Sequence, residues 1–250
     1  PAVPPDETTH IGRIQIFSQA QLLPVDSEAS HRYGLISHVP YAYYFLMGKL
    51  LTVNMFPISD VLYLRLINVL LTVGLAVFAF LWMCIISRNC FVRILFLAML
   101  TNTPMLTFLG ASVNYDNLTN LCAAMGLYYL FVYIRDEKPG ALTAGAAITC
   151  VGMLTKVTFL PLAVLYMVLL ILYKGPVLSS ALGGIIDYGK KRPWRALFSL
   201  GVLTGLIVLN VSLYGQNLIR YKRIVPRVDQ AVTHQQGMQN RIYAQHSIVK

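Results

Sequence analysis

Apolar residues in this chain run in long blocks, and each block stops at a charge, a glycine or a proline. Blocks at about 60–86, 94–110, 117–134, 141–155, 157–173 and 197–214 predict six membrane spans. The criterion is roughly 20 apolar residues per crossing, with allowance for tilt. The fourth block is short and rich in Ala and Gly, which suits close helix packing, and it could be a half-helix paired with the fifth. Residues 1–58 follow a different pattern. Ile11, Ile14, Ile16 and Phe17 interleave with Arg13, Gln15 and Gln19, as in a helix lying in a membrane interface. A polar patch from Asp26 to Arg32 follows. The aromatic cluster from His38 to Phe45 then has the composition of headgroup-depth belts. The run to Phe56 is too interrupted for a span.

Composition agrees with a lipid environment. Of 250 residues, 56% are hydrophobic and 12% charged, against roughly 25% charged in a soluble domain. The net charge of +10 is therefore weighed against membrane rules before nucleic acid, for which no motif speaks. Loops at 87–93 (Arg88, Arg93), 135–140 (Arg135, Lys138) and 174–196 (Lys174, Lys190, Lys191, Arg192, Arg195) are basic, and the positive-inside rule makes them cytoplasmic. Residues 1–58, the 111–116 turn, the turn at Lys156 and the tail 215–250 then face outward. That tail carries Arg220, Lys222, Arg223, Arg227, Arg241 and Lys250, against the rule. Either the topology differs or these cations bind something anionic. Cys84, Cys90, Cys122 and Cys150 lie in or beside apolar runs without metal-ligand spacing, as membrane-buried thiols do. The opening PAVPPDETTH lacks a signal-peptide pattern, and the expectation is a segment whose first span precedes it. No repeat or linker divides the chain. It is expected to be one transmembrane domain, with 1–58 an outer catalytic loop, 59–214 the spans and 215–250 the basic tail.

Ionisable residues beside spans are costly and mark candidate sites. Asp6 and Glu7 are adjacent in a chain with only 10 acidic residues. A carboxylate against apolar surface can act as a general base, although dipole compensation at a helix start is the plainer role. His10 and Arg13 fall one and two helical turns after Asp6 and could orient it or contact a phosphate. Asp6, Glu7 and His10 could serve a divalent ion, but no second ligand cluster supports one, and no cofactor is expected. Asn114, Asp116 and Asn117 stand at the entrance of an apolar helix, where Asp116 or Asn117 would cap. Asn117-Leu118-Thr119 matches a glycosylation sequon but sits at a span entrance. Lys156 interrupts an apolar stretch and could snorkel or face a phosphate. Arg65 fits snorkelling or a structural pair. Gly183-Gly184 is no phosphate loop, since no GK[ST] follows.

Taken in order, Pro-Asp-Glu-x-x-His (5–10), Tyr63 to Asn68 with its early Arg65, Asn-x-Asp-x-Leu-Thr-Asn (114–120) and Leu-Thr-Lys (154–156) resemble the GT-C membrane glycosyltransferases. The likeness is nearest to a bacterial branch sharing the first and third motifs. It is more distant to the protein O-mannosyltransferases and the lipid A aminoarabinose transferase. It covers most of residues 4–173. The resemblance implies an all-α polytopic bundle in the bacterial inner membrane, with its site facing outward. It implies inverting transfer of a sugar from a polyprenyl-phosphate donor to a glycan, lipid or protein acceptor. Asp6 would be the base, with Glu7 as helper. His10, Arg13, Asn114, Asp116 and Lys156 would bind substrate, and Arg220, Lys222 and Arg223 would meet phosphate. The competing expectations are a lipid or solute transporter, for which no repeat speaks, and a scaffold subunit.

Overall fold

A computed structural model describes residues 6–174 and 193–239, and every described element is helical. Three helices are long and apolar enough to cross a membrane: α4 (Asp60–Ile86), α7 (Tyr115–Asp136) and α10 (Pro193–Tyr221). A fourth crossing is available only if α5 (Cys90–Thr101) and α6 (Pro104–Gly110) count as one broken span. The chain is thus a multi-helix protein with three candidate crossings among the described residues, or four with the broken pair, and it differs from the expected six blocks at three places.

The predicted span at 94–110 bends by 61° between α5 and α6. Pro104 is the first residue of α6, so it cannot donate back into α5. Thr101, Asn102 and Thr103 return their side-chain donors to the carbonyls of Leu97, Ala98 and Met99. The predicted spans at 141–155 and 157–173 are short apolar helices. They are α8 (Pro139–Thr155) and, after the 3₁₀ turn Val157–Phe159, α9 (Leu160–Lys174).

Register follows from contacts along the helices. α4 and α7 run side by side in the same direction, from the Asn68–Asn117 hydrogen bond to the aromatic contacts of Phe78 with Tyr128 and Trp82 with Phe131. α8 returns antiparallel along α7, which brings Lys156 back to Asp116. α10 runs the same way as α8. Asn210 donates to the Cys150 carbonyl, Tyr214 to Met153, and Asn217 to His38, so one polar stripe at i, i+4, i+7 docks the helix. The starts of α4 and α7, the Lys156 break and the end of α10 therefore share one end of the bundle. Arg88, Arg93, Arg135, Lys138 and Arg195 share the other. Leu62, Leu66, Leu70, Val73 and Val77 of α4 stay exposed, as a lipid-facing stripe would.

Residues 7–51 form a helical cap on the first end: α1 (Glu7–Gln19), α2 (Glu28–His31) and α3 (Ala42–Leu51). The sequence suggests that the apolar face of α1 meets lipid and that the tyrosines lie at headgroup depth. Instead Ile14 and Phe17 are buried against α3, and Tyr43 and Tyr44 are fully enclosed in the same core. α1 and α3 approach so closely that only glycine fits at position 48. A Cβ there would lie 2.8 Å from Phe17 Cβ and 2.9 Å from the Ser18 amide nitrogen. Gly48→Ala gains up to about 1 kcal/mol of helix propensity, but α3 must then move off the backbone of α1, which costs about 1–3 kcal/mol. The expected outcome is a lower unfolding midpoint in detergent. An unchanged midpoint would mean that the two helices do not pack this tightly.

At the far end of α10, Arg220, Lys222 and Arg223 are exposed, and Lys222 takes a left-handed backbone conformation (φ 55°). The tail packs back on the cap through Asn217 and through an edge-on contact of Tyr221 with His38. α11 (Val228–Ala231) and α12 (His234–Met238) follow. Lys174 is the last described residue before position 193. Lys190, Lys191, Arg192, Arg241, Lys250 and Gly183-Gly184 lie outside the described residues.

Candidate functional site

The acidic pair splits into two roles because adjacent helical residues point about 100° apart. Glu7 turns inward and is buried. Its Oε1 accepts from Arg65 Nε at 2.9 Å and from the Val113 amide at 2.9 Å, and its Oε2 accepts from Arg65 Nη2 at 2.7 Å. Burial alone would raise this carboxyl; the Arg65 fork and the Val113 amide outweigh it and hold its pKa below the usual range. Both oxygens are committed, so Glu7 anchors the start of α1 to α4 and to the 111–114 turn. The carboxylate expected as a helper base is thus bonded within the fold through both oxygens. Arg65 is the structural partner that the sequence allowed for.

Asp6 is the other half of the pair. It occupies the N-cap of α1, but its side chain makes no capping bond; only its carbonyl is used, accepting from the His10 amide at 3.1 Å. The carboxylate is exposed and, among the described residues, unpaired. Asp6 therefore adds no capping bond, and its plainer role is reduced to offsetting the helix dipole.

One turn further on, His10 is buried between two tyrosines. Its Nδ1 lies 2.9 Å from Tyr44 Oη, and its ring meets Tyr115 edge-on at 4.8 Å. Arg13 donates from Nε to the Tyr33 carbonyl at 2.7 Å and from Nη1 to Tyr44 Oη at 3.3 Å, with its guanidinium 5.3 Å from the Tyr44 ring centre. Because Tyr44 Oη accepts from Arg13, its own proton is free to go to His10 Nδ1, which leaves the imidazole proton on Nε2. Burial pushes the Tyr44 phenol up to about 12, so it stays a donor.

Burial, reinforced by the charges of Arg13 and Lys156 and opposed by Glu7, lowers the His10 pKa from 6.5 to about 4. His10 is therefore neutral at physiological pH. A depressed histidine contributes stability that is complete above the unfolded pKa and is lost as pH falls toward the folded one. The protein should therefore lose roughly 3 kcal/mol between about pH 6.5 and pH 4 from this residue. Unfolding midpoints measured across that window, wild type against His10→Gln, check this. The variant should show a shallower acid limb.

The opposite wall comes from α7 and the α8–α9 break. Asn114 Oδ1 accepts from the Asp116 amide at 2.9 Å and caps α7. The cap is thus Asn114 rather than Asp116 or Asn117, because only Asn114 has the extended backbone that a cap requires. Lys156 Nζ sits 2.5 Å from Asp116 Oδ1 and 4.7 Å from the centre of the Tyr115 ring, and the ion pair is about a quarter exposed on either side. Asn117 is buried and donates to Asn68, Leu109 and Ser112. Its sequon is inaccessible. Tyr43 Oη donates to the same Asn68 carbonyl oxygen, so a closed amide network fixes the turn that offers the Val113 amide to Glu7.

The fold thus joins His10, Arg13, Asp116 and Lys156 through Tyr44 and Tyr115, while Glu7 is tied to Arg65 and Val113 and Asp6 stays exposed at the start of α1. Arg220, Lys222 and Arg223 lie at the same end of the bundle but form no ion pair with this group among the described residues. No three metal-ligating side chains converge among the described residues. The contributions of Tyr44, Tyr115 and the Val113 amide carry no motif of their own. The Tyr43-Tyr44 pair was visible, but as a membrane belt. Comparison with family models, with curated proteins and with solved structures finds no match for this chain. The functional assignment therefore rests on the chemistry of these side chains.

Proposed function

We propose that this chain is the membrane core of an inverting glycosyltransferase of GT-C type, taking a sugar from a polyprenyl-phosphate donor. The observation that carries this reading is the division of labour in the acidic pair: Glu7 is clamped by Arg65 and the Val113 amide, while Asp6, next to it in sequence, is exposed and makes no ion pair among the described residues. Asp6 takes the proton of the acceptor hydroxyl or amine as that atom attacks the anomeric carbon. The bond from that carbon to the phosphate oxygen breaks on the opposite face, and the lipid phosphate leaves with the electron pair. Arg13 keeps its Nη2 and Lys156 keeps two of its three N–H donors for that phosphate. Cations placed where charge develops are often the largest catalytic contribution. Asp116 holds Lys156 in place, and Asn114 holds Asp116.

The five cations that share the opposite end of the bundle support a cytoplasmic placement for that end. The site then opens on the outer side of a bacterial inner membrane, where glycan, lipid or protein acceptors reach it. The test is transfer from radiolabelled polyprenyl-phosphate sugars by membranes carrying the protein, wild type against Asp6→Asn. Transfer that needs both the lipid-linked donor and Asp6 supports the assignment. No transfer from any such donor, or full transfer by Asp6→Asn, overturns it.

A further inference from the structure

The cap buries one apolar face and leaves two apolar turns uncovered. Leu22 and Val25, in the turn after α1, and Met55 and Phe56, in the turn after α3, are all exposed, Leu22 by 78% and Met55 by 90%. The two turns leave the cap side by side. α1 and α3 run the same way, from the His10–Tyr44 contact to the Phe17–Gly48 contact, and Lys49 then donates to the carbonyls of Ala20 and Gln21. Neither 20–25 nor 50–59 contains a charged residue, in a chain of net charge +10. The second turn is also fixed against α4. The Phe56 ring lies 6.2 Å from that of Tyr63, and Asn54 donates to Asp60 at 3.2 Å. The starts of α1 and α3 meet α4 further along, where Glu7 binds Arg65 and Tyr43 binds Asn68. These contacts are spread over the first two turns of α4, so the cap stands beside that stretch of the helix instead of beyond its end.

On the same stretch Leu62 and Leu66 open the exposed apolar stripe that continues through Leu70. α4 is long and apolar enough to cross a membrane, and lipid that covers Leu62 reaches the level of the turn that holds Phe56. We propose that the two turns dip into that leaflet, the partner being the acyl-chain boundary of ordinary phospholipid. The inference rests on α4 crossing a membrane and is independent of the glycosyl-transfer reading. Uncharged turns bind by removing apolar area from water, so the contact needs no anionic headgroup. A charged partner would find nothing in either turn to pair with. The cap is then held beyond both ends of α1, by Arg65 and the Val113 amide at Glu7 and by lipid past Gln19.

The test places the purified protein in phosphatidylcholine nanodiscs whose acyl chains carry a photoreactive diazirine, and maps the cross-links by mass spectrometry. Labels are expected on Leu22, Val25, Met55 and Phe56 at yields comparable to those on Leu66 and Leu70, which serve as the internal standard. Replacing part of the phosphatidylcholine with phosphatidylglycerol should leave that ratio unchanged. The double variant Val25→Asp/Met55→Asp should lower labelling of the turns about tenfold, because a carboxylate resists leaving water. If that variant fails to fold, the wild-type map and the lipid exchange decide. Labels on Leu66 and Leu70 with none on the turns would overturn the proposal. So would turn labelling that requires anionic lipid, unchanged labelling of the folded double variant, or cross-links that seat a second copy on the turns. Absence of label from Leu66 and Leu70 as well would remove the membrane premise and the proposal with it.

Discussion

Asp6→Asn should lower sugar transfer by about 10²–10⁴-fold and leave the unfolding midpoint where it was. The two halves of that expectation come from the same geometry. The Asp6 carboxylate makes no capping bond and no ion pair among the described residues, so its charge supports nothing in the fold beyond a favourable helix dipole. Asparagine preserves shape and removes only the capacity to accept a proton. Donor binding by the variant, followed by cross-linking or by competition, should stay near wild type, because the glycosyltransferase reading gives the phosphate to Arg13 and Lys156. A variant that loses donor binding and activity together would make Asp6 part of the binding surface instead of the base.

The neighbouring substitution should behave in the opposite way. Glu7→Gln is expected to cost about 2–3 kcal/mol of stability, less than the 3–5 typical of breaking a fully buried pair. The discount reflects Arg65, whose side chain is 35% exposed and can recover water, whereas that of Glu7 is 0% exposed. Glutamine keeps one acceptor but turns an amide N–H₂ toward the Arg65 fork or the Val113 amide, and either way two donors face each other. Chemical unfolding in detergent measures the loss. In the double variant Glu7→Gln/Arg65→Gln it should be smaller than the sum of the single losses. The same carboxyl has a pH signature. Its folded pKa lies below the unfolded 4.5, so its contribution is complete above that value and disappears as pH falls through the folded one. Full stability for Glu7→Gln would mean that the cap is held by its apolar core alone.

Sequence patterns located the long helices well, since twenty or more apolar residues leave the backbone no alternative in lipid. α4 matches its predicted block, and α7 and α10 extend theirs by a turn or two. The break at Asn102-Thr103-Pro104 was signalled by its proline, but apolar flanks on both sides made one span of two helices. The cap shows a different limit. An amphipathic pattern says which face of α1 is apolar without saying whether lipid or another helix covers it, and here α3 covers it. Of the candidate site residues that the sequence offered, His10, Arg13, Asp116 and Lys156 come together through Tyr44 and Tyr115. The divergent fates of Asp6 and Glu7 were not legible. Glu7 finds its partners 58 and 106 residues away, a distance over which no local pattern carries information.

Those separations also set a timetable. The start of α1 cannot lock until Val113 exists, so at roughly 5–20 residues per second the growing chain carries an unfinished cap for several seconds after residue 7 is made. During that interval Phe17, Tyr43 and Tyr44 have a core among themselves but no fixed seat on the bundle, and α4 must already be inserted for Arg65 to be in reach. The cap is therefore made well before the residues that secure it.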